Sequence, residues 1–329
     1  MTTNAFRKRW PFLGASCNDA HNDCGFIAFK IIKLFISAVI IGGFLLFLFV
    51  GIGKISSYLG EKNVPELVSV GDRDTSVDST GFSSIDQPKE LALSVGLFAD
   101  SEGDSANLKK AINRMEDLSV DIAFFLGDLT RWGSLEELKE GKAVLDSSDL
   151  EILVLPGDHD LAASVSKGDL LGRSKFLEVF GQNMYKYAKG DINFVLFDNS
   201  ANFTPISPED YEWFESGLAT ADFVILSQPL YHPTNKRVMG IVDGDIVSTV
   251  RDQAQTMLDD IRNSRVKAII SADQHFFSSN QDPKKSSLRH IVIGALVSNA
   301  EELRNPQSPR FAVLKVFSDG TYKVEEVVL

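Results

Sequence analysis

From residue 91 onward the chain alternates short, largely apolar runs with stretches whose apolar residues recur at helical spacing. The runs LALSVGLFA (91–99), DIAFFL (121–126), EILVL (151–155), DINFVLFD (191–198), DFVILS (222–227) and VKAIIS (266–271) have the length and composition of buried strands. Between them Leu108, Ala111, Ile112 and Met115 mark one helix, and residues 135–145, 175–180, 207–217 and 247–261 read as others. The 207–217 helix carries a start signal, Ser207 followed by Pro208. The last runs, HIVIGAL, FAVLKVF and TYKVEEVVL, read as strands with a turn at Asp319-Gly320. Strands alternating with helices predict an α/β domain over residues 91–329.

A different pattern precedes that domain. The run LFISAVIIGGFLLFLFVGIG at 34–53 is twenty residues without a charge, and a helix needs about 20 to cross a bilayer. It lacks the polar face that a buried helix of a soluble domain shows. The leader is long for a signal peptide and no small-x-small cleavage site follows, so an uncleaved transmembrane helix at 34–53 is expected. Arg7, Lys8, Arg9, Lys30 and Lys33 lie on its N-terminal side. They place the 1–33 tail in the cytoplasm and the main domain outside it, with the lipid bilayer as a partner. Residues 54–90, rich in Gly, Ser, Asp and Thr, read as a flexible stalk.

Composition narrows the function. A hydrophobic fraction of 44% permits a sizeable core. The formal net charge of -12, with no long basic block in the C-terminal two-thirds, argues against nucleic acid as a partner. Cys17 and Cys24 are the two cysteines; they form no CxxC and have no second pair to complete a thiolate zinc site.

The chemistry sits where strands stop. Asp100 and Glu102 follow the first run, Asp128 the second, Asp158 and His159 the third, and Asp273 and His275 the 266–271 run. In open α/β sheets ligands bind at the C-terminal ends of strands. The third run ends abruptly at Pro156-Gly157, which breaks the strand and sets Asp158-His159-Asp160 on the following loop. Carboxylates and imidazoles converging from four loops are a donor set for a divalent metal.

The order of these motifs resembles that of the calcineurin-like metallophosphoesterases, purple acid phosphatases included. The chain offers Asp100-Ser101-Glu102, Gly127-Asp128-Leu129-Thr130, Gly157-Asp158-His159-Asp160, Ser227-Gln228-Pro229-Leu230-Tyr231 and Ala272-Asp273-Gln274-His275. Phe197-Asp198-Asn199-Ser200 and Tyr211-Glu212-Trp213-Phe214 fall where the family has an LDS strand end and a WL helix. The resemblance implies a four-layer αββα sandwich holding one or two divalent metals that clamp a phosphoester. It also implies that Asp100 and His275 bind a first metal, that Asp128 bridges both, and that His159 stands by the leaving-group oxygen.

Several positions depart from the family. Glu102 and Asp273 stand where it has histidines and Asp158 where it has asparagine, and Ser227-Gln228-Pro229 lacks the remaining second-metal histidine. Asp100 and Glu102, two apart on a segment taken as extended, are expected to face one ion. Asp158 and Asp273 remain candidate oxygen ligands. Carboxylate in place of imidazole shifts preference from Zn towards Mn, Fe, Mg or Ca. His232 is an alternative ligand at the wrong spacing, and His290 reads as packed in a strand. Arg131 is a candidate substrate-binding residue, Trp132 either walls the pocket or packs, and Asp104 and Asp160 back the site or face solvent. Two functions follow: a membrane-anchored, metal-dependent phosphoester hydrolase, or a degenerate relative that serves as a binding module.

Overall fold

The computed structural model describes residues 89–297 and 307–329. The N-terminal tail, the 34–53 run and the stalk up to residue 88 lie outside the described residues. Among the described residues no helix is long and apolar enough to cross a membrane.

The first half follows a βα rhythm. β1 (Leu91–Phe98), α1 (Ser105–Asp117), β2 (Ile122–Phe125), α2 (Leu135–Leu145) and β3 (Ile152–Val154) occupy the expected places. A short helix follows at once, α3 (Asp158–Val165), and then α4 (Ser174–Phe180). The second half contains β4 (Tyr185–Lys189), β5 (Ile192–Phe197), α5 (Pro208–Leu218), β6 (Phe223–Leu226), a small hairpin of β7 (Ile241–Val242) and β8 (Asp245–Ile246), α6 (Ser248–Asn263), β9 (Ala268–Ser271), β10 (Ser278–Gln281), β11 (Arg289–Val292), β12 (Arg310–Phe317) and β13 (Tyr322–Val328). The predicted start of α5 is observed: Ser207 accepts from the backbone N of Asp210, with Pro208 in the first turn.

These strands form two main sheets. One has the order β13-β12-β1-β2-β3, the other β10-β11-β9-β6-β5-β4. In the first, β1, β2 and β3 run parallel, so the loops leaving them emerge at one edge. In the second, β5, β6, β9 and β11 run parallel for the same consequence.

The period of two along each strand explains the layers. Leu93, Val95, Leu97, Phe124, Leu196, Phe223, Ile225 and Ile270 fill the space between the sheets. Ala123, Phe125 and Val154 point the other way, onto Leu108, Ile112 and Met115 of α1, Leu138 of α2 and Phe176 of α4. Val224, Leu226 and Ile269 pack against Phe214 of α5 and Met257, Leu258 and Ile261 of α6. Strands buried on both faces have no polar alternation, which is why their sequences run apolar throughout. The result is the αββα sandwich.

Candidate metal centre

The loops leaving β1, β2, β3 and β9 meet. Among the described residues two sets of donor atoms lie within 4.8 Å of one another: Asp100, Asp128 and His275 in one, Asp128, Asp158 and His159 in the other. Asp128 is common to both.

The backbone is bent to make this possible. Seven described non-glycine residues have positive φ, and five are here: Asp100 (53°), Glu102 (43°), Asp128 (57°), Asp273 (68°) and His275 (59°). Left-handed residues of this kind cost of order 1–3 kcal/mol where the surroundings impose them, and they cluster at functional sites. Here the surroundings are hydrogen bonds between loops. Asp100 N donates to the Gly127 carbonyl (2.9 Å), Glu102 N to Asp128 (2.9 Å) and Gly103 N to Leu129 (3.0 Å). The β1 loop is therefore zipped to the β2 loop and is not extended. The expectation that Asp100 and Glu102 share a face as extended-chain neighbours is corrected on that point. Glu102 still reaches the centre, with Oε1 3.5 Å from His275 Nε2, but it stands outside both donor sets.

The β3 segment was expected to be a loop, and it is the first turn of α3. Asp158 and His159 open the helix, and Asp160 is at its third position. Asp160 is fully buried. Its carboxylate accepts from Leu129 N (3.1 Å), Thr130 N (2.8 Å), Thr130 Oγ1 (2.8 Å) and Gly157 N (3.0 Å). This side chain, expected to back the site or be solvated, is what locks the β2 loop to the start of α3. The bond to Gly157 is the return half of a capping box, a signal visible in the spacing. Gly157 has to be glycine, because a Cβ there would fall on the carboxylate and backbone N of Asp128. His159 N in turn donates to Asp128 Oδ1 (3.0 Å).

His159 is oriented by backbone. Its Nδ1 lies 2.9 Å from the Arg131 carbonyl, which can only accept, so Nδ1 carries the proton. Proton exchange with a substrate then passes through Nε2. Burial works against a charge on His159. Asp128, Asp158 and Glu102 outweigh it, with help from the Arg131 carbonyl, and push its pKa up to about 9. The Arg131 side chain itself is exposed, as is Trp132 beside it.

Burial and neighbouring charge both act on the acids of the centre. Asp100 is raised well above the ordinary carboxylate range by burial, then by Asp273 and Glu102. Asp128 is raised by burial and then by Asp158. Oδ2 of Asp100 is buried without a hydrogen-bond partner among the described residues. Crowded, dehydrated carboxylates with an unsatisfied oxygen fit a divalent cation, which supplies the charge and coordination they lack.

Other predicted positions have different work. Asp273 forms an ion pair with Arg237 (Oδ2 to Nε, 3.0 Å) and belongs to neither donor set. Asp158 Oδ2 accepts from Asn202 Nδ2 (2.6 Å). Ser227 Oγ donates to the Pro156 carbonyl (2.6 Å), and the backbone N–H groups of Ser227 and Gln228 both donate to Asn199 Oδ1 (3.0 Å each). His232 packs against Phe276; its Nε2 lies 3.1 Å from Ser278 Oγ and its Nδ1 accepts from Asn235 N (2.8 Å). His290 is packed as expected, bonded to Asp282 (2.8 Å). Arg237 was not foreseen. It lies on a polar loop, and no periodicity ties it to Asp273.

No protein-family model matches the chain. A probable cyclic nucleotide phosphodiesterase of Vesicomyosocius okutanii subsp. Calyptogena okutanii is 29% identical over 135 residues, which is 39% of this chain and 52% of that protein. The chain thus spans about half the length of that curated relative. A purple acid phosphatase from yellow lupin (Lupinus luteus) superposes with a TM-score of 0.53 at 13% identity, over 72% of this chain and 52% of its own. A dimetal phosphatase from Danio rerio superposes with a TM-score of 0.51 at 16% identity, over 72% of this chain and 98% of its own. The two-sheet sandwich, with its strand-end loops gathered at one edge, is the fold this chain shares with those two phosphatases.

Proposed function

We propose that this chain is a metal-dependent phosphoester hydrolase. One observation carries the reading: two donor sets share Asp128, with His159 at the same place. The similarity to phosphatases and a phosphodiesterase supports it. A divalent ion at such a site supplies positive charge for phosphoryl oxygens and acidifies water. The chain's own residues do the rest. Asp100, Asp128 and His275 would hold the ion, and Glu102 would add negative charge beside it. Asp158, tied to Asn202, fixes the start of α3. His159, protonated on Nδ1 for the Arg131 carbonyl, gives a proton from Nε2 to the leaving-group oxygen. The excess of oxygen donors favours Mn, Fe, Mg or Ca over Zn.

The test is turnover of an aryl phosphate monoester and diester by the full chain in detergent. Mn²⁺ is expected to support activity and a chelator to remove it. Asp128→Asn is expected to lower the rate at least about 100-fold, since supporting residues alone are worth 10–100-fold. Equal inertness of wild type and variant with every metal tried overturns the hydrolase. A binding module is the second reading, favoured by the hydrogen bonds that engage Ser227 and Gln228 where an imidazole was expected. It predicts ion uptake without turnover.

We further propose that the run at 34–53 anchors the domain outside the cytoplasm, on the grounds of its length, its lack of charge and its basic N-terminal flank. The chain should stay with membranes after alkaline carbonate washing. Release into the soluble fraction would count against the anchor.

A further inference from the structure

The metal reading leaves one side chain without a role. Arg237 lies on the loop between β6 and β7, yet its Nε is 3.0 Å from Oδ2 of buried Asp273, at the edge of the centre. Burial opposes its charge, and Asp273, Asp158, Asp128 and Asp100 all favour it. A guanidinium in the field of four carboxylates stays protonated across the accessible pH range.

Its placement is built and not incidental. The Arg237 carbonyl accepts from the side-chain amide of buried Gln274, next to Asp273 in the chain. Its backbone N donates to Asn235 Oδ1 (2.9 Å), and Asn235 N donates to His232 Nδ1 (2.8 Å). His232 is fixed at its other nitrogen by Ser278 Oγ (3.1 Å). The histidine that could have served as a late second-metal ligand thus pins the loop that presents the arginine. Just beyond it Val238, Met239 and Gly240 are buried, and Met239 N donates to the Pro229 carbonyl (2.9 Å).

The neighbouring β6 loop, whose Ser227 carbonyl accepts from Ala272 N (3.1 Å), shows a matching loss. Ser227 and Gln228 are committed to Pro156, Asn199 and Asn202. Asp273 is committed to Arg237. The second donor set consists of Asp128, Asp158 and His159, and His159 doubles as the proton donor of the proposed reaction.

We propose that Arg237 takes the place of the second cation, so that the centre holds one divalent ion and one guanidinium. This rests on the metal reading above and sharpens it. A guanidinium can serve in that role because its planar fork matches two phosphate oxygens. The single ion then belongs to Asp100, Asp128 and His275, and Arg237 meets the substrate phosphate from the Asp273 side.

The experiment is a count of ions that does not depend on turnover. The full chain in detergent, stripped by chelator, is titrated with Mn²⁺ by calorimetry and followed by electron paramagnetic resonance. Wild type is expected to take one tight ion and to show an uncoupled Mn²⁺ signal. Arg237→Ala, which releases Asp273, is expected to take a second ion and develop the exchange-coupled signal of a pair. Arg237→Lys keeps the charge and is expected to stay at one ion, a control that separates lost charge from lost fold. Two tight ions in wild type overturn the arginine's role and leave the metal reading standing. One ion in both wild type and Arg237→Ala likewise overturns the arginine's role. No ion in any of the three takes the metal reading down, and this inference with it.

Discussion

Asp160 belongs to neither donor set, yet the geometry of the centre depends on it. Its carboxylate satisfies three backbone N–H groups and one hydroxyl, all buried. Asp160→Ala strands those donors, and an unsatisfied buried donor costs about 1–3 kcal/mol. We expect a loss of at least about 3 kcal/mol in stability, and a drop of roughly 10–100-fold in Mn²⁺ affinity because the β2 loop loses its template. Urea unfolding and Mn²⁺ titration measure the two. A variant that binds Mn²⁺ as well as wild type would show that the β2 loop holds its shape unaided. At this scale the sequence was informative where an acid directly follows an apolar run, as with Asp100, Asp128 and Asp158. It was misleading for Glu102, because the alternation argument assumes extended backbone and that segment is left-handed. It was silent for Arg237, whose partner Asp273 comes from a different loop and leaves no periodic trace.

Among elements, those legible beforehand are buried on both faces or carry a clear apolar stripe. β1, β2, β5, β6 and β9 announce themselves by unbroken apolar runs, and α1 and α6 by their spaced core residues. The elements not foreseen lack such a face. β4 is a half-exposed edge strand whose register is set by pairing with β5 across a turn at Gly190, where φ is 58°. β10 reads Ser278-Ser279-Asn280-Gln281 and is a strand only because β11 pairs with it. α3 is not legible from its sequence because its first turn is made of the acids and imidazole that also suit a metal-binding loop. A helix start suits that use, since its N-terminal N–H groups can hold acids in place, as His159 N does for Asp128. Close approach of the β2 loop to this helix start requires Gly127, with φ of 111°, and Gly157 facing each other.

For the whole molecule, the centre is a junction between two sheets. Asp100 and Asp128 leave the sheet of β1 and β2, and His275 leaves the sheet of β9. The edge holds crowded buried acids, Asp100 and Asp128, whose carboxyls are raised first by burial and then by repulsion from neighbouring carboxylates. An ion bound by all three would clamp the sheets together and offset that repulsion. Since the unfolded chain has no such arrangement, binding stabilises the folded state, by about 2.7 kcal/mol at a free ion concentration 100 times Kd. In a domain of this size each kcal/mol is worth about 2–4 °C in Tm. Saturating Mn²⁺ should therefore raise the midpoint of the stripped chain by roughly 5–10 °C in a thermal melt. Asp128→Asn should lose most of that rise, because it removes the charge common to both donor sets. Arg237→Lys should keep it, because the ion's own ligands are untouched. A wild-type midpoint that ignores Mn²⁺ at every concentration would mean that the sheets hold together without an ion.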